Sequence, residues 1–191
     1  VARKTAQQAG ETRAAILASA RASFTADGFA GASTARMAAD AGVTEGALFH
    51  HFRTKRDLFL AVFTELEAEL DAAARAASRR GTPLQRFVEG CRAYLNFVAR
   101  DDYARIALIE APSVLGHQTW HEVDSGLGLK TVLRGVENLI ETGAISQQPA
   151  RPLAVVFYGA LNEAAFAVAR REPGVSVDAM INVLERVLKG L

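Results

Sequence analysis

A chain of 191 residues, half of them hydrophobic, is long enough to bury a substantial core and too apolar to stay unfolded. The single cysteine, Cys91, excludes an intrachain disulfide and a zinc-finger ligand set, and the longest apolar run, 153–161, is short for a membrane span; no signal peptide is legible, so a soluble, cytoplasmic protein with no membrane partner is expected. The net charge of +1 is unevenly spread: residues 1–60 carry eight Lys/Arg against five Asp/Glu and the rest fourteen against sixteen, the pattern of a small nucleic-acid-binding unit on a faintly acidic body.

About ten polar residues open the chain and read as a mobile arm whose Arg3 and Lys4 can lie along a phosphate backbone, or as a frayed end. The first helix is expected over 11–27, with Ile16, Leu17, Ala20 and Phe24 on one stripe and Gly28 just past its end. Ser33 and Thr44 are placed to cap the second and third helices, each hydroxyl accepting from an amide the helix leaves unpaired. Between them the run TARMAADAGVTEGALFHHFRTK, 34–55, reads as two short helices joined by an Ala41-Gly42-Val43 turn. Met37, Ala38, Ala41, Val43 and Leu48 share its small core. The helix 45–51 is too short and too mixed in polarity to be a core element, so its outer face must meet something else. In a helix-turn-helix that something is the major groove of double-stranded DNA.

Thr54 and Asp57 resemble a capping box opening a long fourth helix, with Leu58, Val62, Leu66 and Leu70 at helical spacing to about residue 79. Gly81 stops it, and Thr82-Pro83 starts a fifth with Leu84, Phe87, Val88, Cys91, Leu95 and Val98 inward. A short sixth helix is expected from 102 to about 111, closed by Pro112, and a seventh over 118–141, open to a kink at Gly126 and Gly128. An eighth, 151–171, is apolar nearly all round, and Ser176 caps a ninth reaching Lys189. No stretch alternates strongly enough to be a strand, so the fold class is all-α with about nine helices. The eighth helix carries more apolar surface than one intrachain face can cover. Its small residues Gly159, Ala160, Ala164 and Ala165, with Met180, Val183, Leu184, Val187 and Leu188 of the ninth, point to a four-helix interface between two copies of the chain.

The run GFAGASTARMAADAGVTEGALFHHFRTKRDLFLAVF, 28–63, closely resembles the DNA-binding domain of the TetR family of bacterial transcriptional regulators. The resemblance is carried by Gly28-Phe29, Ser33-Thr34, Ala41-Gly42-Val43, Leu48 to Phe52, Lys55 and Leu58, within roughly the first sixty residues. It implies a helix-turn-helix domain over 1–54 and a helical ligand-binding and dimerisation domain over 55–191, joined by the long helix. It also implies a homodimer through the last two helices and a pocket for an unidentified small-molecule effector. Thr34, Thr44, His51 and Lys55 suit phosphates, which fix register. Arg36, Glu45, Gly46, Ala47 and Phe49 are better placed for base edges: Glu45 can accept from a cytosine amino group, and Ala47 and Phe49 can touch a thymine methyl. Where the family commonly has tyrosine this chain has Phe49, so any role there is apolar. His50 completes the candidate DNA-binding set. Being adjacent, His50 and His51 point about 100° apart on a helix and do not readily share a metal ion.

In the larger domain the stretch 102–124 mixes Tyr103, Glu110, His117, Trp120 and His121 with apolar residues around a proline-glycine break. His117 and His121 have a metal-compatible spacing, but no second pair completes a ligand set; a pocket wall and plain packing are the competing readings. Cys91, Tyr94, Phe157 and Asn162 are candidates to join that wall, Cys91 reading equally as a small buried hydrophobe. No phosphate-cradling glycine loop, nucleophile elbow or HExxH helix is present, and the carboxylates read as solvent-facing, so neither an enzyme nor a cofactor is expected. The expected function is a ligand-responsive repressor that binds a palindromic operator as a homodimer. The alternative is a dimeric helical small-molecule binder or adaptor without a DNA role.

Overall fold

The computed structural model describes the backbone of residues 2–191 and the side chains of residues 7–191. Among them every regular element is helical. The chain divides into two compact units: Val1–Leu66 with Arg105–Trp120, and Glu67–Ala104 with His121–Leu191. This division differs from the boundary after residue 54 expected from sequence, because the opening of the long helix α4 (Lys55–Ala77) buries Leu58, Phe59, Val62 and Phe63 completely or nearly so. The Phe59 ring meets Phe24 edge-on at 5.0 Å and Phe29 at 5.4 Å.

In the first unit α1 (Ala2–Gly31) begins well before the expected residue 11. Its early turns are rich in good helix formers, and Gln7 donates to Glu11 at 3.0 Å one turn on. The side chains of Arg3 and Lys4, and with them the phosphate-arm expectation, lie outside the described residues. At Gly28 the backbone leaves the helical region (φ 71°, ψ 174°) and resumes for a further turn. A side chain there would be strained, and its Cβ would run into the carboxylate of Glu110 and the guanidinium of Arg105. α2 (Thr34–Asp40) and α3 (Glu45–His51) are capped as expected: Ser33 Oγ accepts from the Arg36 amide at 3.4 Å and Thr44 Oγ1 from Ala47 at 3.2 Å. Such caps are typically worth about 1 kcal/mol. Thr54 Oγ1 likewise accepts from Asp57 at the start of α4.

The expected sixth helix is more irregular than its sequence indicated. A short α6 (Asp101–Tyr103) widens into a π-helix (Ala104–Glu110), followed by α7 (Ala111–Leu115), which contains Pro112 in its first turn rather than ending before it. Pro112 has no N–H to give the carbonyl of Ala107, five residues back, which is the π-helical partner distance. The Trp120 indole donates to that carbonyl instead, at 3.0 Å.

In the second unit α5 (Pro83–Val98) opens on the full capping box, Thr82 accepting from the Gln85 amide and Gln85 from Thr82. It packs on α9 (Ala150–Ala169) and α10 (Val177–Lys189). The seventh expected helix is α8 (His117–Glu141), which runs through Gly126 and Gly128 unbroken. Gly128 admits the Tyr158 ring and Gly135 the Phe87 ring, so two of its glycines are there for close packing. By length and composition α9 could cross a bilayer, but Ala154, Phe157, Tyr158, Leu161, Ala164 and Ala165 are buried within its unit. That, with Leu188 of α10 buried as well, corrects the expected copy-to-copy contact at Ala164, Ala165 and Leu188. On the last two helices the exposed large apolar residues are Val155 (49%) and Val156 (67%) of α9 and Val183 and Val187 of α10.

Candidate functional site

The outer face of the helix-turn-helix is built by packing on its inner side. Met37, Ala38 and Leu48 are buried, and the amide of Val43 donates to Ala38 O at 2.9 Å across the turn, where Gly42 adopts φ 70°. With Leu48 turned inward, Glu45, Gly46, Phe49 and His50 face outward, Ala47 and His51 being half-buried. Phe49 is 40% exposed, unusual for a ring that belongs to no core. Thr34 Oγ1 donates to Glu45 Oε1 at 2.6 Å, tying α2 to α3 through two of the candidate DNA residues. Arg36 lies 3.8 Å from Asp27 and 3.7 Å from Asp40, both exposed, and pairs of this kind are worth little in water. Thr44 is exposed and occupied as the α3 cap. Lys55 is more engaged: its ammonium donates to Ala30 O at 3.4 Å and stands 5.0 Å above the Phe29 ring.

Behind this face, Glu110 Oε2 accepts the Phe29 amide at 2.5 Å and Arg105 donates to Ala26 O at 3.2 Å, while Glu110 and Arg105 pair at 3.4 Å. Arg56 donates to Val114 O and Leu115 O at 3.1 and 2.8 Å. Glu110, expected in a ligand wall, is therefore a brace that satisfies the α1 amide freed at the Gly28 break. His117 and Trp120 are in this unit as well, their rings 5.5 Å apart.

The second unit holds a cavity of about 450 Å³ between α4, α5, α8 and α9. Of the expected ligand residues Cys91, Tyr94 and Asn162 line it; Tyr103, Glu110, His117, Trp120, His121 and Phe157 do not. Phe157 stands behind the wall, edge-on to Phe87 at 6.0 Å, and Tyr103 stands behind Glu67, to which its hydroxyl donates at 2.6 Å. On α8 the lining stripe starts only at Asp124 and continues through Gly128, Thr131 and Gly135, C-terminal to the His-rich turn. His121 is exposed.

The groups missed from sequence are the carboxylates. Glu67, Asp71 and Asp124, read there as solvent-facing, are buried and line the cavity. A signal existed: Glu67 and Asp71 lie four apart among Phe63, Leu70 and Ala74 on the inward face of α4. Asp71 pairs with Arg75 at 2.7 Å and accepts from Thr131 at 2.7 Å. Asp124 accepts from the Tyr158 hydroxyl and from Asn162 at 3.3 Å, and Asn162 accepts from Tyr94 at 3.0 Å. Burial pushes Glu67 up to about 8, the Tyr103 hydrogen bond opposing and the charge of Asp124 adding to the shift. Burial also raises Asp124, against the pull of Tyr158, Asn162 and the His121 charge. The Cys91 thiol, pushed up to about 12 by burial, stays protonated and is no nucleophile at neutral pH. Among the described residues no three His, Cys, Asp or Glu side chains form a metal-holding group.

Residues 16–62 match the family described as bacterial regulatory proteins, tetR family, and residues 84–191 match the tetracyclin repressor-like C-terminal domain. The chain is 41% identical over 70 residues to the HTH-type transcriptional regulator AcrR of Shigella flexneri, covering 37% of this chain and 33% of AcrR. It is 35% identical over 97 residues to the HTH-type transcriptional repressor AcnR of Corynebacterium glutamicum, covering 51% and 47%. The matched part thus spans a third to a half of these curated relatives. Likeness over nearly the whole length is found with the crystal structure of a TetR-family transcriptional regulator from Pectobacterium atrosepticum (TM-score 0.80, 34% identity, 97% and 96% covered). The fold is shared too with FadR of Bacillus subtilis, solved with stearoyl-CoA (TM-score 0.74, 17% identity, 91% and 96% covered). An N-terminal helix-turn-helix match and a C-terminal match covering more than half of the chain, joined in one fold, establish that the chain belongs to the TetR family of bacterial regulators.

Proposed function

We propose that the protein is a cytoplasmic transcriptional repressor that binds a palindromic operator as a homodimer and is released when a small molecule fills the cavity of its second unit. The observation that carries this reading is the two-sidedness of α3, with Leu48 buried and Glu45, Gly46, Phe49 and His50 presented outward. The first unit reads the DNA, through residues 34–55, while the second serves ligand and dimer. Arg36, Glu45, Gly46, Ala47 and Phe49 meet base edges; Thr34, Thr44, His51 and Lys55 meet phosphates, and His50 lies on the same DNA-facing side. The weak pairs of Arg36 and the Thr34–Glu45 bond are readily exchanged for DNA contacts. The exposed Val155, Val156, Val183 and Val187 form the dimer face, and two-fold symmetry sets the half-sites about one DNA turn apart. Because α4 is one continuous helix whose later turns line the cavity and whose first turns pack with the reader, a shift at the cavity is transmitted along it. The effector must then bind the DNA-free form more tightly, by the same factor by which it weakens operator binding.

The test is fluorescence anisotropy with DNA flanking the protein's own gene against scrambled DNA, over a salt series. Sequence-preferring, salt-dependent binding is expected, and Ala47→Glu should abolish the preference through clash and like-charge repulsion while leaving thermal stability unaltered. Equal binding to both DNAs, or an Ala47→Glu protein with full preference, would leave a helical ligand binder with no DNA role.

A further inference from the structure

The charges lining the cavity are segregated. Along α4 the lining runs from Glu67 to Arg75, about 12 Å at the helical rise, with Ser78 just past its end, and along α8 from Asp124 to Asn138. Glu67 and Asp124 lie towards one end, with Tyr94, Tyr158 and Asn162; Arg86 and Arg134 lie towards the other, beside Ser78 and Asn138. Arg75 neutralises Asp71, and Arg86 donates to Asn138 at 3.0 Å. Among the described residues no lysine or arginine pairs with Glu67 or Asp124, which are 4% and 6% exposed. Their hydrogen bonds come from phenols and an amide, which bring no formal charge. Two carboxylates buried together, with the exposed His121 as the one positive charge that acts on Asp124 and none on Glu67, are costly to ionise, and the protein alone meets that cost by keeping a proton. A ligand that carries its own positive charge would displace the proton and recover the lost Coulomb energy in a poorly solvated site. The phenol rings beside it supply negative faces.

We propose that the cavity takes an organic cation, a protonated amine on an apolar body. Its ammonium is held between Glu67 and Asp124 beside the rings of Tyr94 and Tyr158, and its apolar part rests on Phe87 and Leu161. This deepens, and rests on, the reading of the cavity as the effector site. An acid of the same shape is disfavoured, since its carboxylate would either approach the two buried acids or leave its apolar tail against them.

The experiment titrates the full-length wild-type chain by calorimetry with 4-phenylbutylamine, 4-phenylbutanol and 4-phenylbutyrate, three probes of one shape and different charge. The amine is expected to bind about tenfold or more tighter than either of the others. Glu67→Gln and Asp124→Asn, both near-isosteric, should each weaken the amine about tenfold and leave the alcohol unchanged. The comparison among probes on the wild-type chain stands even where a variant folds poorly. An amine that binds no tighter than the alcohol, a carboxylate that binds tightest, no amine binding at millimolar concentration, or amine affinity untouched by both substitutions overturns the proposal. Failure of the effector reading looks different: the amine binds by all these criteria yet leaves DNA binding unaltered.

Discussion

Replacing Glu67 by glutamine should make the protein more stable at alkaline pH and almost unchanged at acid pH. In the folded chain burial raises the Glu67 carboxyl from 4.5 to about 8, whereas the unfolded chain releases that proton near the ordinary value. Between those two pH values folding takes up a proton, so native stability falls as pH rises, beginning near 4.5 and levelling off above 8. At about 1.4 kcal/mol per pH unit, the span amounts to about 3 to 5 kcal/mol. Glu67→Gln removes the titration while keeping an acceptor for the Tyr103 hydroxyl, and it offers Asp124 an amide in place of a like charge. Urea unfolding of both proteins, followed by far-UV circular dichroism at pH 5, 6.5 and 8 and one protomer concentration, isolates the effect. Groups titrating elsewhere cancel in the difference between variant and wild type. That difference should be small at pH 5 and reach about 3 to 5 kcal/mol in favour of the variant at pH 8. A difference independent of pH, or a variant less stable at pH 8, would refute the account of Glu67 as a buried acid without a counter-charge.

Val156→Asp should give monomers by light scattering with little loss of monomer stability, since Val156 is 67% exposed; a variant that stays dimeric would move the interface elsewhere. A charge at Ala164 or Ala165, buried within the chain, should instead unfold the second unit. Glu110→Ala orphans the Phe29 amide and the Arg105 partner and should cost about 1 to 3 kcal/mol in thermal or urea denaturation; unchanged stability would remove the brace. Gly135→Ala brings a Cβ to 2.5 Å from the Phe87 ring and should cost about 1 to 3 kcal/mol. Gly126→Ala, with nothing within 4 Å, should gain roughly 1 kcal/mol from helix propensity, and the two glycines behaving alike would contradict the packing described.

What the sequence alone determined is whatever depends on near neighbours. Ser33, Thr44, Thr82 and Ser176 cap helices because a hydroxyl reaches an amide three residues on, a relation written in the local order of residues. The all-α class and the two-sided α3 follow from periodicity in the same way. The tertiary structure alone decided which residues meet across the chain. Glu110 and Phe29 are far apart in sequence, and nothing near Glu110 announces that its carboxylate fills the space left by Gly28. His117, Trp120 and Tyr103 had the chemical texture of a pocket wall, yet the lining of α8 begins one turn later. Which arc of a helix faces a cavity is set by the helices packed around it. The carboxylates show the limit most clearly: Glu67 and Asp71 occupy an apolar stripe that a periodicity argument assigns to the core. Only the arrangement of α4, α5, α8 and α9 around one space turns that anomaly into a cavity with an acidic end.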